Sequence, residues 1–167
     1  STAISTSLTN VFAGIDYTGA VSVPNGDHGI YIDASDCTIG SSIGGENGRV
    51  VASGNSEDGV YISSTASNTT LTNVFAGVDE TGRVAIPNNF NGIYVEGRDC
   101  TIGSSTGGES GRVVASGNTQ CGIYILSTAT GTLLANVFAG VDNTGAVSVP
   151  NGVNGSHLYT SPSPRDS

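Results

Sequence analysis

The chain has 167 residues, of which 25 are glycine, and it contains neither methionine nor tryptophan. Its 14 acidic residues against 5 basic residues, all arginine, give a formal net charge of −9. Phosphate backbones and anionic lipids require basic surface, so nucleic acid is not an expected partner. No apolar run approaches the roughly 18 residues of a membrane span, so no membrane insertion is expected.

One motif returns at a fixed interval along the chain. Asn10, Asn73 and Asn136 each open the motif NVFAG[IV]DxTG, and these starts lie 63 residues apart. A second series of asparagines is separated by 30, 33, 30 and 33 residues, and each member is followed four residues later by glycine. The 63-residue unit therefore consists of two unequal turns of one structure. This second series is Asn25, Asn55, Asn88, Asn118 and Asn151.

The elements predicted within each turn are short strands. After each of the first four glycines comes an apolar-tyrosine-apolar triplet, such as Ile30-Tyr31-Ile32, and this period of two is typical of a strand. Two further β-type runs follow, CTIG and RVVASGN in one turn and TTLTN and VFAG in the other. No apolar pattern of helical period occurs. The sequence predicts an all-β, right-handed, single-stranded parallel β-helix of about five turns, made of turns of 30 and 33 residues.

Stacked turns lie about 4.8 Å apart, so residues at one place in the pattern form columns along the axis. The apolar members of the triplets are predicted to form the core. The second asparagine series is predicted to form an amide ladder at a tight corner, in left-handed backbone. The variable residues that follow each asparagine are expected to face solvent.

The repeat resembles a known family. The run "NxxGIYI...DCTIGSS..GG..GRVVASGN...GIYI" followed by "NVFAGVDxTGxVxxPN" is similar to the repeats of large right-handed β-helix proteins of the pectate-lyase-like superfamily. The resemblance covers residues 1–155 and implies a secreted or cell-surface location. It is specific for the fold rather than for an activity, because that superfamily holds lyases, hydrolases, adhesins and proteins without known chemistry.

The sequence predicts two regions. Residues 1–155 form the β-helix repeat region, which begins in mid-pattern and is expected to be a fragment without end caps. Gly155 is the last residue expected to fit the register. Residues 158–166 resemble translated sequencing-adaptor read-through, so 156–167 are treated as a non-native or disordered tail.

Charges that do not recur with the repeat are the candidates for catalysis, which needs one constellation at one place. Asp27 and His28 lie two and three residues after Asn25, and Glu57 and Asp58 hold the same places one turn on. Such a cluster would be an acid pair or a metal site, and the alternative is ordinary charge on a solvated corner. No cofactor is expected.

Charges that do recur are predicted to be structural. Asp16, Asp79 and Asp142 are interpreted as turn formers, with a weak calcium site as the alternative. Arg49 and Arg112 are predicted to form loop salt bridges with Glu46 and Glu109. Cys37 and Cys100 recur two turns apart, which is too far for a disulfide, and Cys121 is expected to be a lone thiol on the variable corner.

The most coherent outward feature is the column Tyr31, Tyr61, Tyr94 and Tyr124, whose rings are predicted to stack on sugars of a polysaccharide or cell-surface glycan. The alternative is that tyrosine is simply a good strand residue. An ice- or mineral-binding face is not expected, because columns of Thr-x-Thr are not visible.

Two functions remain open at this point. The first is a non-catalytic extracellular or surface solenoid, which acts as a rigid spacer or adhesive module among further copies of its own repeat. The second is a fragment of a polysaccharide lyase or glycoside hydrolase whose active turns are incomplete here.

Overall fold

The computed structural model describes residues 5–43 and 45–158. Those ranges hold fifteen short strands in three parallel sheets of five strands, with two 3-10 turns at Gly45–Gly48 and Gly108–Gly111 and no α-helix. Each turn contributes one strand to each sheet, so the predicted parallel β-helix of about five turns is confirmed. No helix in the described ranges is long and apolar enough to cross a membrane.

The first sheet has the order β1-β4-β7-β10-β13, the second β2-β5-β8-β11-β14 and the third β3-β6-β9-β12-β15. The strands of the first sheet are β1 Ser7–Leu8, β4 Thr38–Ile39, β7 Thr70–Leu71, β10 Thr101–Ile102 and β13 Leu133–Leu134. The strands of the second sheet are β2 Val11–Ala13, β5 Val50–Ala52, β8 Val74–Ala76, β11 Val113–Ala115 and β14 Val137–Phe138. The strands of the third sheet are β3 Ile30–Ile32, β6 Val60–Ile62, β9 Ile93–Val95, β12 Ile123–Ile125 and β15 Ser156–Leu158.

The register of the third sheet follows the predicted periods. Ile30 pairs with Val60, and Val60 pairs with Ile93. The register also continues past Gly155, because Ser156–Leu158 pairs with β12 as its fifth strand. The expected end of the register at Gly155 is therefore wrong by three residues, since parallel pairing uses backbone groups that any side chain leaves available. Residues 159–167 of the predicted tail lie outside the described residues.

The core lies in two layers rather than one. The apolar residues of the first four triplets and their counterparts in the other two sheets are buried inside the coil. A second apolar cluster covers the outer face of the second sheet, where Val51, Phe75 and Val114 are buried against Val78 and Ile86. The strands of this sheet from β5 to β11 are consequently buried on both faces.

Three hairpin arms provide the outer layer of that cluster. The arms are residues 15–22, 78–85 and 141–148, and each is closed by one antiparallel bridge. In the second arm, Asp79 accepts hydrogen bonds from the Thr81 hydroxyl and from the N–H groups of Arg83 and Val84. Successive arms are joined across two turns, as the Glu80 N–H donates to the carbonyl oxygen of Gly19 at 2.9 Å.

The recurring arginines fasten these arms instead of forming the predicted salt bridges with Glu46 and Glu109. The Arg49 guanidinium lies 4.4 Å from the centroid of the Phe75 ring and donates to the carbonyl oxygen of Glu80 at 2.6 Å. Arg112 lies over Phe138 in the same way. The phenylalanine face and the arm carbonyl together offer a more buried partner than a solvated glutamate, so the salt-bridge prediction is wrong.

Candidate functional site

The five asparagines of the second series lie in one column. The side-chain Nδ2 of each of the first four donates to the Oδ1 of the next asparagine, at 2.8 Å from Asn25 to Asn55 and 2.9 Å from Asn55 to Asn88. The same bond continues at 2.9 Å to Asn118 and at 3.1 Å to Asn151. The three inner amides also donate to backbone carbonyls, Asn55 to Ala13, Asn88 to Ala52 and Asn118 to Ala76.

The backbone at this corner differs from the prediction. Left-handed φ angles of 76° and 74° occur at Gly54 and Gly117, the residues before Asn55 and Asn118, and not at the ladder asparagines themselves. Glycine takes this conformation without the steric cost of a Cβ atom. The asparagine backbone is therefore free to stay in the ordinary region while its amide points along the axis.

The charged corner brings three of the four predicted catalytic candidates into contact. His28 Nδ1 lies 3.4 Å from Asp58 Oδ2, and His28 Nε2 lies 3.4 Å from Asp27 Oδ1. The Asp58 N–H also donates to His28 Nδ1 at 3.3 Å. Glu57 is partly buried at the same corner, where its N–H donates to the carbonyl oxygen of Asp27 at 3.3 Å.

Asp58 is buried rather than solvated. Its Oδ1 accepts from the N–H and the Nδ2 of Asn91 at 2.8 and 2.9 Å. Burial raises the pKa of the Asp58 carboxyl above its ordinary value of 3.8, although the Asn91 bonds and His28 oppose the shift. A carboxyl with a raised pKa beside a histidine can hold or move a proton, so the cluster has the elements of an acid–base pair.

The expectation that the variable corner faces solvent is wrong at one position. The third residue after the ladder asparagine is buried in three successive turns, as Asp58, Asn91 and Cys121. Asn91 Oδ1 accepts from the Cys121 N–H at 3.2 Å. This position points inward beside the amide ladder, so its residues must satisfy backbone groups. Cys121 is therefore a buried thiol, as are Cys37 and Cys100.

The four predicted tyrosines form a continuous ring stack. Neighbouring ring centroids lie 5.2 Å apart with an interplanar angle of 5° for each of the three pairs. His28 stacks on Tyr61 at 4.6 Å, and His157 extends the stack beyond Tyr124 at 4.8 Å. The ring faces are thus turned toward one another, and edges and hydroxyl groups are what the column presents to solvent.

This geometry works against the predicted stacking of sugars on the tyrosine faces. A sugar that approached the column would meet ring edges, because each inner face is already covered by the next ring. Burial and the nearby Glu96 carboxylate raise the pKa of the Tyr61 hydroxyl, and the same causes raise that of Tyr94. Both phenols therefore remain protonated hydrogen-bond donors at neutral pH.

The carboxylates considered for calcium are engaged in the hairpin arms. Asp142 accepts from the Thr144 hydroxyl and from the N–H groups of Thr144, Ala146 and Val147. Asp16 accepts from the Thr18 hydroxyl in the same manner. Within the described ranges, no group of three or more His, Cys, Asp or Glu side chains is placed to hold a metal ion.

A groove that the sequence did not indicate runs along the outer face of the first sheet, with a volume of about 470 Å³. Its first row consists of residues paired in register across all five strands. Four of the five carry hydroxyl groups, and three of these are threonines. This row is Ser7, Thr38, Thr70, Thr101 and Leu133.

A second row lies two residues further along each strand. It alternates threonine with glycine, and Thr70-Leu71-Thr72 supplies one Thr-x-Thr unit. This unit does not recur in the other described strands of the sheet, so no column of Thr-x-Thr is formed there. The hydroxyl columns were not noticed in the sequence because they combine residues of the two unlike half-repeats, which share no local motif. The second row is Thr9, Gly40, Thr72, Gly103 and Ala135.

Three parallel sheets, an internal amide ladder and a stacked outer tyrosine column define a parallel β-helix solenoid. Comparison with protein-family models, with curated proteins and with solved structures finds no match to this chain. The resemblance to the pectate-lyase-like superfamily consequently stays a prediction.

Proposed function

We propose that this chain is part of a non-catalytic, rigid solenoid that acts as a spacer or adhesive module of a surface or secreted protein. The observation that supports it most is the unbroken run of the amide ladder through all five turns, with the tyrosine column beside it in four of them. Amide, tyrosine and core columns each continue from turn to turn, so stability is distributed evenly along the axis. A spacer needs this mechanical continuity and needs no unique site.

The proposal is tested on the chain itself, by incubating it with pectic, alginate-like and neutral polysaccharides and measuring new reducing ends and unsaturated products. A spacer releases no product from any of them. Antibody labelling of intact cells of the source organism tests the surface location. Product release, or a signal confined to permeabilised cells, would contradict the corresponding part of the proposal.

A second candidate function is a polysaccharide lyase or glycoside hydrolase. The observation that favours it is the contact of Asp27, His28 and Asp58, in which a buried carboxyl with a raised pKa lies beside a histidine. If this cluster were catalytic, Asp58→Asn would abolish product release while the variant kept its fold. Activity that survives this substitution would exclude the cluster as its source.

A further inference from the structure

We propose that the hydroxyl groove on the first sheet binds an extended, uncharged glycan. The groove crosses the strands of all five turns, which at about 4.8 Å per turn is a length of roughly 19 Å. Its volume of about 470 Å³ lies within the range of small-molecule sites. The groove is on a different sheet from both the tyrosine column and the Asp27–His28–Asp58 cluster.

The state of the hydroxyl groups carries this inference. Among the described residues, six hydroxyls of the two rows neither donate nor accept a side-chain hydrogen bond. Thr72 is the most telling, because only 7% of the residue is exposed while its side chain lines the groove. The Thr72 Oγ1 atom is not one of the fully buried unpaired oxygens of the described residues, so it stays accessible, and a ligand or water in the groove can supply the partner that the protein does not.

Several hydroxyl groups elsewhere in the fold are used internally. The Ser53 and Ser116 hydroxyls donate to backbone carbonyls at 2.7 Å, and each accepts from the N–H of a neighbouring turn. Thr81 and Thr144 bind the aspartates of the hairpin arms. Unpaired hydroxyls also occur outside the groove, since the buried Thr69 hydroxyl, which does not line it, has no partner. What distinguishes the groove is that its unpaired hydroxyls lie side by side in two rows.

One wall of the groove is held in place. Ser41 and Ser104 begin the long loops of the second and fourth turns and line the groove. Asn73 Nδ2 donates to the carbonyl oxygens of Ser41 and Gly45, at 3.3 and 2.7 Å, and Asn136 repeats this arrangement at Ser104. The wall is therefore formed before any ligand arrives, which lowers the ordering cost of binding.

The lining selects the chemistry of the ligand. Ten of the fourteen lining residues carry hydroxyl groups, and none is charged or aromatic. A hydroxyl both donates and accepts, which matches the hydroxyls of a neutral sugar chain. The absence of arginine from the lining, together with the net charge of −9, disfavours anionic polymers such as pectate. A peptide gains little, because the inner strands already have both edges paired.

Binding is measured by titration calorimetry with cellohexaose, laminarihexaose and mannohexaose, and with hexagalacturonic acid as the charged comparison. At least one neutral hexasaccharide is expected to bind more tightly than the charged one. The test variant is the double substitution Thr70→Val with Thr101→Val, which keeps both side-chain shapes and removes two hydroxyls. Its affinity is expected to fall at least about tenfold.

The control is Tyr61→Phe with Tyr94→Phe, which removes two hydroxyls from the third sheet and should leave the affinity unchanged. Leu133→Arg, at a position 60% exposed in the groove, gives a second variant that removes no hydroxyl and blocks the groove. Circular dichroism establishes that each variant is folded. The proposal is overturned if no neutral hexasaccharide binds, or if both groove variants bind as the unchanged protein does. Neither result would bear on the spacer function, which depends on the ladders.

Discussion

At the scale of single residues, Asp58 shows how burial changes the behaviour of a carboxyl group. Its Oδ1 accepts two bonds from Asn91, and its Oδ2 faces His28. Asparagine at this place would keep an acceptor for Asn91 and carry no charge. The column already contains such a residue, since Asn91 holds the same position one turn on.

Asp58→Asn is therefore expected to raise stability at neutral pH and to leave it unchanged in acid. Because the pKa of Asp58 is raised in the folded protein, the folded state holds that proton more tightly than the unfolded chain. The stabilisation it gives is complete below its ordinary pKa of 3.8 and is lost as the pH rises through the raised pKa. Urea midpoints from acid to neutral pH measure the difference.

Asp16→Asn provides the opposite case. Bonds from the Thr18 hydroxyl and then from backbone N–H groups lower the pKa of Asp16 despite a cost of burial. Its contribution is present above the ordinary pKa and is lost as the pH falls. This variant should be less stable at neutral pH and converge with the unchanged protein in acid. A shift of both variants in the same direction would contradict these assignments.

Asn88→Ala is expected to lower the free energy of unfolding by about 2–4 kcal/mol, because several buried groups lose their partner at once. Asn88 is fully buried, donates to Ala52 and Asn118, and accepts from the N–H and Nδ2 of Asn55. Asn25→Ala, at the exposed end of the ladder, should cost about 1 kcal/mol or less. Urea denaturation compares the two, and equal losses would mean that the amide ladder is not what stabilises the corner.

The sequence allowed the ladder to be predicted because its members are identical and occupy one position of the repeat. The groove hydroxyls could not be found this way. Ser7 and Thr38 belong to unlike half-repeats, and they pair across the first sheet at a sequence separation of 31 residues. The corresponding separation between paired residues is 39 in the second sheet and 30 in the third. The 30-residue spacing of Asn25 and Asn55 therefore misplaces the partner of Ser7 by one residue. A shift of one residue along a strand exchanges the side chains that face the core with those that face solvent.

At the scale of elements, the hairpin arms convert a half-exposed sheet into a fully buried one. Their aspartates were correctly interpreted as turn formers, with left-handed glycines at Gly19, Gly82 and Gly145. Their role as a second layer was not foreseen, although a strand buried on both faces reads as a continuous apolar run rather than as an alternation of apolar and polar residues. The apolar outward residues Phe75 and Val114 were the available signal.

Arg49→Lys is expected to loosen the second arm by about 1 kcal/mol, since lysine keeps the charge but loses the planar contact with Phe75 and the geometry of its bond to Glu80. Hydrogen exchange at the Val84 amide, which is bonded to Asp79 in the arm, measures this opening. Glu46→Gln is the matched control and should leave exchange unchanged. Faster exchange in that control would show that Glu46 does hold Arg49, as the sequence predicted.

At the scale of the whole molecule, stability and length should both grow with the number of turns. Insertion of a second copy of residues 73–135 adds one 63-residue unit, and therefore two turns or roughly 9.6 Å of length. The denaturation midpoint is expected to rise, because each new turn adds an interface. X-ray scattering measures the length, and an unchanged maximum dimension would show that the added unit does not continue the coil.

The overall architecture was the part most open to prediction, because strand patterning, repeat length and turn count all point to one fold. The function could not be predicted in the same way. A solenoid presents three long faces, and the sequence pattern marks only the repeated residues on them. The tyrosines repeat and were noticed, whereas Thr72, the most buried of the unpaired hydroxyls in the groove, has Gly40 and Gly103 as its neighbours in the column.

The contacts between successive arms have a consequence for how such a gene can change in length. The Glu80 N–H donates to the carbonyl oxygen of Gly19, and the Asn143 N–H donates to that of Gly82. These contacts depend on the turn without an arm that lies between the strands from which successive arms extend. Recombination that removed a single turn would place two arms on adjacent turns, at half their present separation. Viable alleles should therefore differ in length by whole 63-codon units, each of which encodes a pair of turns.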